Sequence, residues 1–430
     1  MNPTTVWVEV TNTLSVPYTT GLQRVTRELL SRLPGPETSD GPLRFVPVRW
    51  CPVHLTYRRL TPAERVLLAE TPAPISADVG RRWVDRLPRP LAAQARRLAR
   101  GPVVAPIRRA VGLGPKLPLA HPALEIGPWP RRSIFFDLEA AWHDPRSRAD
   151  LLPELLDAGV IPATLVADVL PEIHPEWFES GPAGLFRAFL RAHLRHSMRF
   201  VCISDATAAD LRSVAKEVGE NRRLNTSTIT LGADFPSADT AAPLPDELDG
   251  SRYLLDVSTL EPRKNHTVLL DAFDSLQRSY PDLVLVLVGK QGWKTDELVE
   301  RIRGHLLLGR RLFWYDAAGD DLLDTLYSHA FLAVTPSFSE GFGAPVVEAL
   351  AHGVPTVASN VGALIEAGGK LAEYFDPHDS ADLARVIEQH LFDAVRHERA
   401  RSALEHYRAP TWENCAAQVV AALAPLAKSN

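Results

Sequence analysis

The chain has few cysteines, few methionines and few lysines. Of 430 residues, three are Cys and two are Met, and Lys fills only seven of the 47 basic positions, Arg the other 40. Cys51, Cys202 and Cys415 are too few and too scattered for a disulfide framework or a zinc site, which predicts a reducing compartment. No apolar stretch reaches the ~20 residues that span a bilayer, the run from Cys415 to Ala427 included. The start, Val6-Trp-Val-Glu-Val10 after a short polar stretch, lacks the basic and apolar regions of a signal peptide. The expectation is a cytoplasmic protein, at most peripheral at the inner face of a membrane. Also missing are a G-x-x-x-x-G-K-S/T phosphate loop, a G-x-S-x-G elbow and a D-x-D triplet able to hold a metal on a sugar nucleotide. His193 and His196 lack an evident third ligand and read as one face of a helix, so no metal is expected. With a net charge of −5, nothing calls for a nucleic-acid partner.

The length points to two or three domains at about 150 residues each. The second half has the clearer pattern. Tyr253–Val257, Leu283–Val288, Leu312–Tyr315, Phe331–Val334 and Thr356–Ala358 are short β-branched runs. Between them lie helical stretches at 265–280, 295–308, 320–328 and 344–352. Such alternation means βαβ units and a parallel sheet covered on both faces. The first half echoes it. Its strands are predicted at 6–10, 45–48, 133–136, 164–167 and 200–203. Leu22, Val25, Leu29 and Leu33 lie at helical spacing, and a helix is predicted from Asp205 to about Val218. The stretch 234–250, rich in Pro, Asp and Ala, reads as a linker between two α/β domains.

Proline is abundant, at 36 residues against the usual ~5%. It is dense, with arginine, in an insertion at about 55–132 that fits neither domain. Between Asp78 and Arg132 twelve basic residues face three acidic ones, and Leu91 to Arg100 reads as a basic amphipathic helix. One reading is contact with an anionic membrane or phosphorylated acceptor; the other is a solvated helix.

Chemistry concentrates at turns between strand and helix. In Ser339-Glu-Gly-Phe-Gly-Ala-Pro-Val-Val-Glu-Ala349 an apolar strand runs into two glycines, and a helix opens with Pro345 near its first position. Backbone N–H groups at such a helix start favour a phosphate or carboxylate, and Glu340 and Glu348 can accept hydrogen bonds from a sugar diol. The alternative is that Gly341 and Gly343 only shape the turn. Arg263 and Lys264, in Glu261-Pro-Arg-Lys-Asn265, are read as opening the next helix, where cations are unfavourable unless an anion such as a diphosphate is bound. Gly21, in Thr19-Thr-Gly-Leu-Gln-Arg-Val25, is a weaker signal, since the full dinucleotide fingerprint is absent there. Asp168 lies just past a strand, ahead of His174-Pro-Glu-Trp-Phe178, with either a catalytic or a turn-forming role.

Taken together, E-P-R-K-N at 261–265 and S-E-G-F-G-A-P-V-V-E-A-L-A-H-G-V-P-T-V-A-S-N-V-G at 339–362 resemble glycosyltransferase family 4, retaining enzymes of the GT-B fold. T-G-L-Q-R-V and D-V-L-P-E-I-H-P-E-W-F are similar to a subgroup found in bacterial polysaccharide clusters. The resemblance implies an α/β, GT-B architecture: two Rossmann-like domains with parallel sheets facing a cleft. Residues 1–235 would form the acceptor domain and 251–410 the donor domain, and a helix at 411–430 would cross back. The donor would be a nucleoside diphosphate sugar, with no further cofactor, and the acceptor a glycan or lipid-linked saccharide. Arg263 and Lys264 would meet the diphosphate, Glu348 the ribose, and Glu340 with the Gly341-Phe342-Gly343 backbone the donor sugar. Gly21 would line the opposite side of the diphosphate. Val347 joins the donor-binding set, and Asp168 joins Glu340, Arg263 and Lys264 as catalytic. Many members have His-Asp where this chain has Ala167-Asp168, which puts a histidine contact to the donor sugar in doubt. The alternatives are a sugar-nucleotide epimerase on the same fold and a non-catalytic partner subunit.

Overall fold

A computed structural model describes residues 3–16, 21–37, 41–70, 126–233 and 242–428. The first half builds a seven-stranded sheet from β1 (Thr4–Glu9), β2 (Leu43–Cys51), β3 (Thr56–Arg59), β4 (Ile134–Asp137), β5 (Ile161–Val166), β6 (Arg199–Cys202) and β7 (Thr226–Thr228). The second half builds a six-stranded sheet from β8 (Tyr253–Val257), β9 (Val284–Val288), β10 (Leu312–Tyr315), β11 (Leu332–Thr335), β12 (Thr356–Ser359) and β13 (Ala372–Phe375). The orders are β3-β2-β1-β4-β5-β6-β7 and β10-β9-β8-β11-β12-β13. Every pairing is parallel except β2 with β3. Both sheets start at a central strand, grow outward to one side, then return and continue on the other. That reversal leaves a crevice beyond the carboxyl ends of β1 and β4, and another beyond β8 and β11.

The strands are continuous apolar runs because both faces are covered. All five residues of Val-Leu-Val-Leu-Val in β9 are buried, as a parallel sheet between two helix layers requires. The last helix, Trp412–Lys428, packs on the helix Gly21–Arg32. Its Trp412, Cys415, Val419 and Leu423 join Val25 and Leu29 in one apolar cluster. Phe342 and Val347, from the turn after β11 and the helix that follows it, belong to the same cluster. The two sheets therefore meet through packed side chains.

Two edge strands escape the sequence reading, the short β7 and the antiparallel β3. Thr56-Tyr-Arg-Arg59 looks like a polar turn, yet Arg58 is 1% exposed. Glu64 explains it: its carboxylate takes Arg49 and both terminal nitrogens of Arg58 at 2.7 Å and caps its own helix in a box with Thr61. Burial alone would raise the Glu64 pKa; its arginines and the Thr61 N–H hold it down to about 2. The predicted Leu91–Arg100 helix and most of the basic insertion lie outside the described residues.

Breaking the central packing should be costly. Leu285→Ala in β9 removes a fully buried side chain and should destabilise by about 2–5 kcal/mol. In urea denaturation this appears as a lower midpoint with an unchanged slope.

Candidate active site

The turn after β8 and the turn after β11 meet at the reversal of the second sheet. Arg263 and Lys264 lie on a single 3₁₀ turn, Pro262–Lys264. This corrects their expected place at a helix start. Asn265 takes a left-handed conformation (φ 54°), and the helix begins only at His266. Asn265 holds this bend by donating its side-chain N–H to the Pro377 carbonyl at 2.8 Å. The bend aims both cations at the other turn. Arg263 Nη1 reaches Glu340 Oε2 at 2.7 Å, and Lys264 Nζ pairs with Glu340 Oε1. The Ser337 hydroxyl donates to Glu340 Oε1 at 2.7 Å. Arg263 Nη2 also meets Glu261 at 2.9 Å.

Burial alone would raise the Glu340 pKa. Arg263 and Lys264 outweigh it and hold the carboxyl down at about 2. Asp168 belongs to the first sheet, just after β5. Burial raises its pKa, opposed by Arg263 and by the Leu170 N–H, which donates to it at 3.0 Å. Two cations thus face three acids, Glu261, Glu340 and Asp168.

The glycines here have distinct tasks. A β-carbon on Gly341 would fall on the Ala167 carbonyl oxygen, and 3.2 Å from the Asp168 β-carbon. Gly341 is therefore where the two sheets touch. Its carbonyl accepts from the Ser204 hydroxyl at 2.6 Å and the Thr207 hydroxyl at 2.9 Å, both on the first half. Gly343, at φ 94°, turns the chain into the helix Ala344–Ala351, a conformation that L side chains rarely adopt. Glu366 adds to the junction by capping the first-half helix at Asp205 N (2.9 Å) and Ala206 N (3.1 Å). On the other flank Trp177 stacks at 6.0 Å on Phe338, and the Trp293 ring N–H donates to the Trp177 carbonyl at 2.7 Å.

Glu348 lies one turn into its helix. The Tyr327 hydroxyl donates to it at 3.1 Å, and Arg24 from the first half stands 3.8 Å away. Burial raises its pKa, opposed by Arg24 and the tyrosine. Val347, beside it, is buried in the apolar cluster between the halves. Gly21 opens its helix with open space where a β-carbon would stand; Thr19 and Thr20 lie outside the described residues.

The sequence reading missed a second buried polar group, beyond β1 and β4. Glu9, Asp137, Glu139, Asp144, Arg148 and His193 come together there. Arg148 takes Asp137 at 2.7 Å and Asp144 at 2.9 Å, and His193 takes Asp137 at 3.0 Å. His193 lies with His196 on the helix Ser180–His196, as the sequence predicts, and is wholly buried there. Glu139 accepts from the Asn12 N–H at 2.5 Å and the Thr13 N–H at 2.6 Å, which fixes the chain on its way to Gly21. Oxygens of Glu9, Glu139 and Asp144 lie within 4.8 Å of one another, the one metal-capable group among the described residues. Burial, followed by the neighbouring acids, raises Glu9 and Asp144 and lifts Glu139 to about 7. The one available signal was the acid ending each strand, in Val-Glu9 and Phe-Phe-Asp137.

Two mainly parallel sheets joined at a polar cleft, with cations gathered at one switch point, make a two-domain α/β architecture. An Anabaena protein, HepE, crystallised with UDP and glucose, shares it across 99% of this chain and 100% of its own (TM-score 0.57, 15% identity). Residues 245–406 match the family model described as "Glycosyl transferases group 1". The Escherichia coli serotype-specific mannosyltransferase WbdA is 31% identical over 62% of this chain. The O-antigen chain mannosyltransferase B of the same organism is 30% identical over 63% of it. The match covers 35% of WbdA and 71% of the second enzyme, so the chain spans about a third of WbdA's length. The chain belongs to the group 1 glycosyl transferases. Among the described residues no helix is long and apolar enough to cross a membrane.

Two outcomes are expected. Gly341→Ala should cut turnover by forcing the sheets apart, while far-UV circular dichroism stays unchanged. Glu340→Gln should destabilise the protein at neutral pH by taking the carboxylate from the buried Lys264 and leaving Arg263 paired with Glu261 alone. Glu340 has a folded pKa below its unfolded value, so its stabilisation is present above about 4.5 and fades as pH falls towards about 2. The stability gap between wild type and variant in urea titrations should therefore narrow across that window.

Proposed function

We propose that the protein transfers a hexose, in the first instance mannose, from a nucleoside diphosphate sugar to a glycan or lipid-linked acceptor, in the synthesis of a cell-surface polysaccharide. The observation that carries this reading is the convergence of Arg263 and Lys264 on Glu340 at the switch point of the second sheet. A donor diphosphate fits there. As the bond from the sugar to the diphosphate breaks, negative charge develops on the leaving oxygen, and two fixed cations in a buried site stabilise it. Glu340 then holds the cations in place when the site is empty and can turn to sugar hydroxyls when it is full. Glu348, one turn on, suits the ribose diol. Asp168, from the facing sheet, is placed to contact the sugar undergoing transfer.

The choice of mannose follows the two mannosyltransferase relatives; HepE was crystallised with UDP and glucose, so both bases belong in the test. Transfer would retain the anomeric configuration and need no resident metal, because Arg263 and Lys264 supply the positive charge.

Incubation with GDP-mannose, UDP-glucose and dTDP-sugars, following release of the nucleoside diphosphate, tests the reading. One donor should turn over, undiminished by EDTA, and NMR of the product should show the donor's anomeric configuration. Lys264→Ala and Glu348→Ala should each weaken donor binding by about 1.5–3 kcal/mol, the worth of one charge-assisted hydrogen bond, or roughly 10- to 150-fold. If no donor binds, or both variants bind as wild type does, the assignment fails.

A further inference from the structure

Arg24 faces Glu348 from the first half. It stands in the first turn of the helix Gly21–Arg32, a turn that contains no acidic residue. A cation there opposes the helix dipole, the same local conflict that singles out anion sites. Its side chain reaches across the cleft, and Nη1 lies 3.8 Å from Glu348 Oε1, with the two side chains 27% and 13% exposed. That separation exceeds a hydrogen bond. Charge attracts the pair, while the Tyr327 hydroxyl bonds Glu348 Oε2 directly. Arg24 and Glu348 therefore meet across the cleft as an ion pair without a direct hydrogen bond.

We propose that Arg24 is a donor-binding residue that receives the phosphate next to the ribose from the first-half wall of the cleft. This inference rests on the reading above, in which Glu348 takes the ribose and Arg263 with Lys264 take the far end of the diphosphate. The phosphate nearest the ribose then lies between those two points. A guanidinium already held against the ribose-binding carboxylate is placed to meet it, and its planar fork suits two phosphate oxygens. The empty site keeps Arg24 poised on Glu348. The bound nucleotide replaces that ion pair with a ribose on Glu348 and a phosphate on Arg24. Since Arg24 and Glu348 belong to opposite halves, one nucleotide then ties both walls together.

The test is calorimetric titration of wild type, Arg24→Ala, Arg24→Gln and Arg24→Lys with a nucleoside, its 5′-monophosphate and its 5′-diphosphate, in the guanosine, uridine and thymidine series. A lost phosphate contact should weaken the mono- and diphosphate by about tenfold or more in Arg24→Ala and Arg24→Gln. The nucleoside should change by less than about twofold, and Arg24→Lys should recover part of the loss. If Arg24 only bridges to Glu348, its removal shifts all three ligands equally; that result, or no shift at all, overturns the proposal. The donor-site reading survives either outcome as long as Lys264→Ala still weakens the diphosphate. If wild type binds no nucleotide in any series, the reading falls and this inference with it. Melting curves of the Gln and Lys variants identify any Ala result that reflects misfolding.

Discussion

A single buried carboxylate organises the site proposed for the donor. Glu340 keeps its charge inside the protein only because Arg263 and Lys264 reach it from the neighbouring turn. The converse also holds, since two cations packed under the second sheet's carboxyl edge need an anion. Removing one member leaves uncompensated charge, which costs far more than the pair contributes. The 3₁₀ turn, the left-handed Asn265 and the two glycines after β11 all serve to bring these three groups together. In the proposed function the same arrangement receives the donor: a diphosphate would bring the charge that Glu340 supplies in its absence, so its entry would exchange one anion for another.

The second constraint is the contact between the halves. Gly341 lies against Ala167, and the hydroxyls of Ser204 and Thr207 hold its carbonyl. Glu366 caps the helix that begins at Asp205, and Trp177 stacks on Phe338 across the other flank. These contacts bring Asp168 and Arg24 to face the cations and carboxylates of the second sheet. Beneath them, the Glu139 carboxylate grips the backbone N–H groups of Asn12 and Thr13. That anchors the segment that leads to Gly21. The two walls of the cleft are thus positioned by polar contacts that lie outside the Arg263–Glu340–Lys264 cluster.

Much of this was legible in the sequence for a physical reason. A parallel sheet buried on both faces writes itself as uninterrupted β-branched runs, such as Val284–Val288. Turn residues at strand ends mark where its ligands bind. Glu340, Glu348, Arg263 and Lys264 stood out because they are local to such turns. What escaped depends on partners distant in the chain. β3 contains two arginines and is a strand only because Glu64 neutralises Arg58. The acids at 9, 137, 139 and 144 cluster around Arg148 and His193 only after folding. Gly341 read as a donor-binding or turn-shaping glycine, and its contact with Ala167 escaped because Ala167 lies on the other half. The true start of the helix at His266 depended on one left-handed residue. Arg24 stands in T-G-L-Q-R-V, but its partner Glu348 lies far away in the chain and across the cleft.

The most direct measurement of the central claim is a crystal structure of the protein with a nucleoside diphosphate bound. The account predicts the terminal phosphate within hydrogen-bonding distance of Arg263 and Lys264, the ribose hydroxyls on Glu348, and Glu340 released from at least one cation. A nucleotide bound elsewhere, with the Arg263–Glu340–Lys264 cluster untouched, would contradict it.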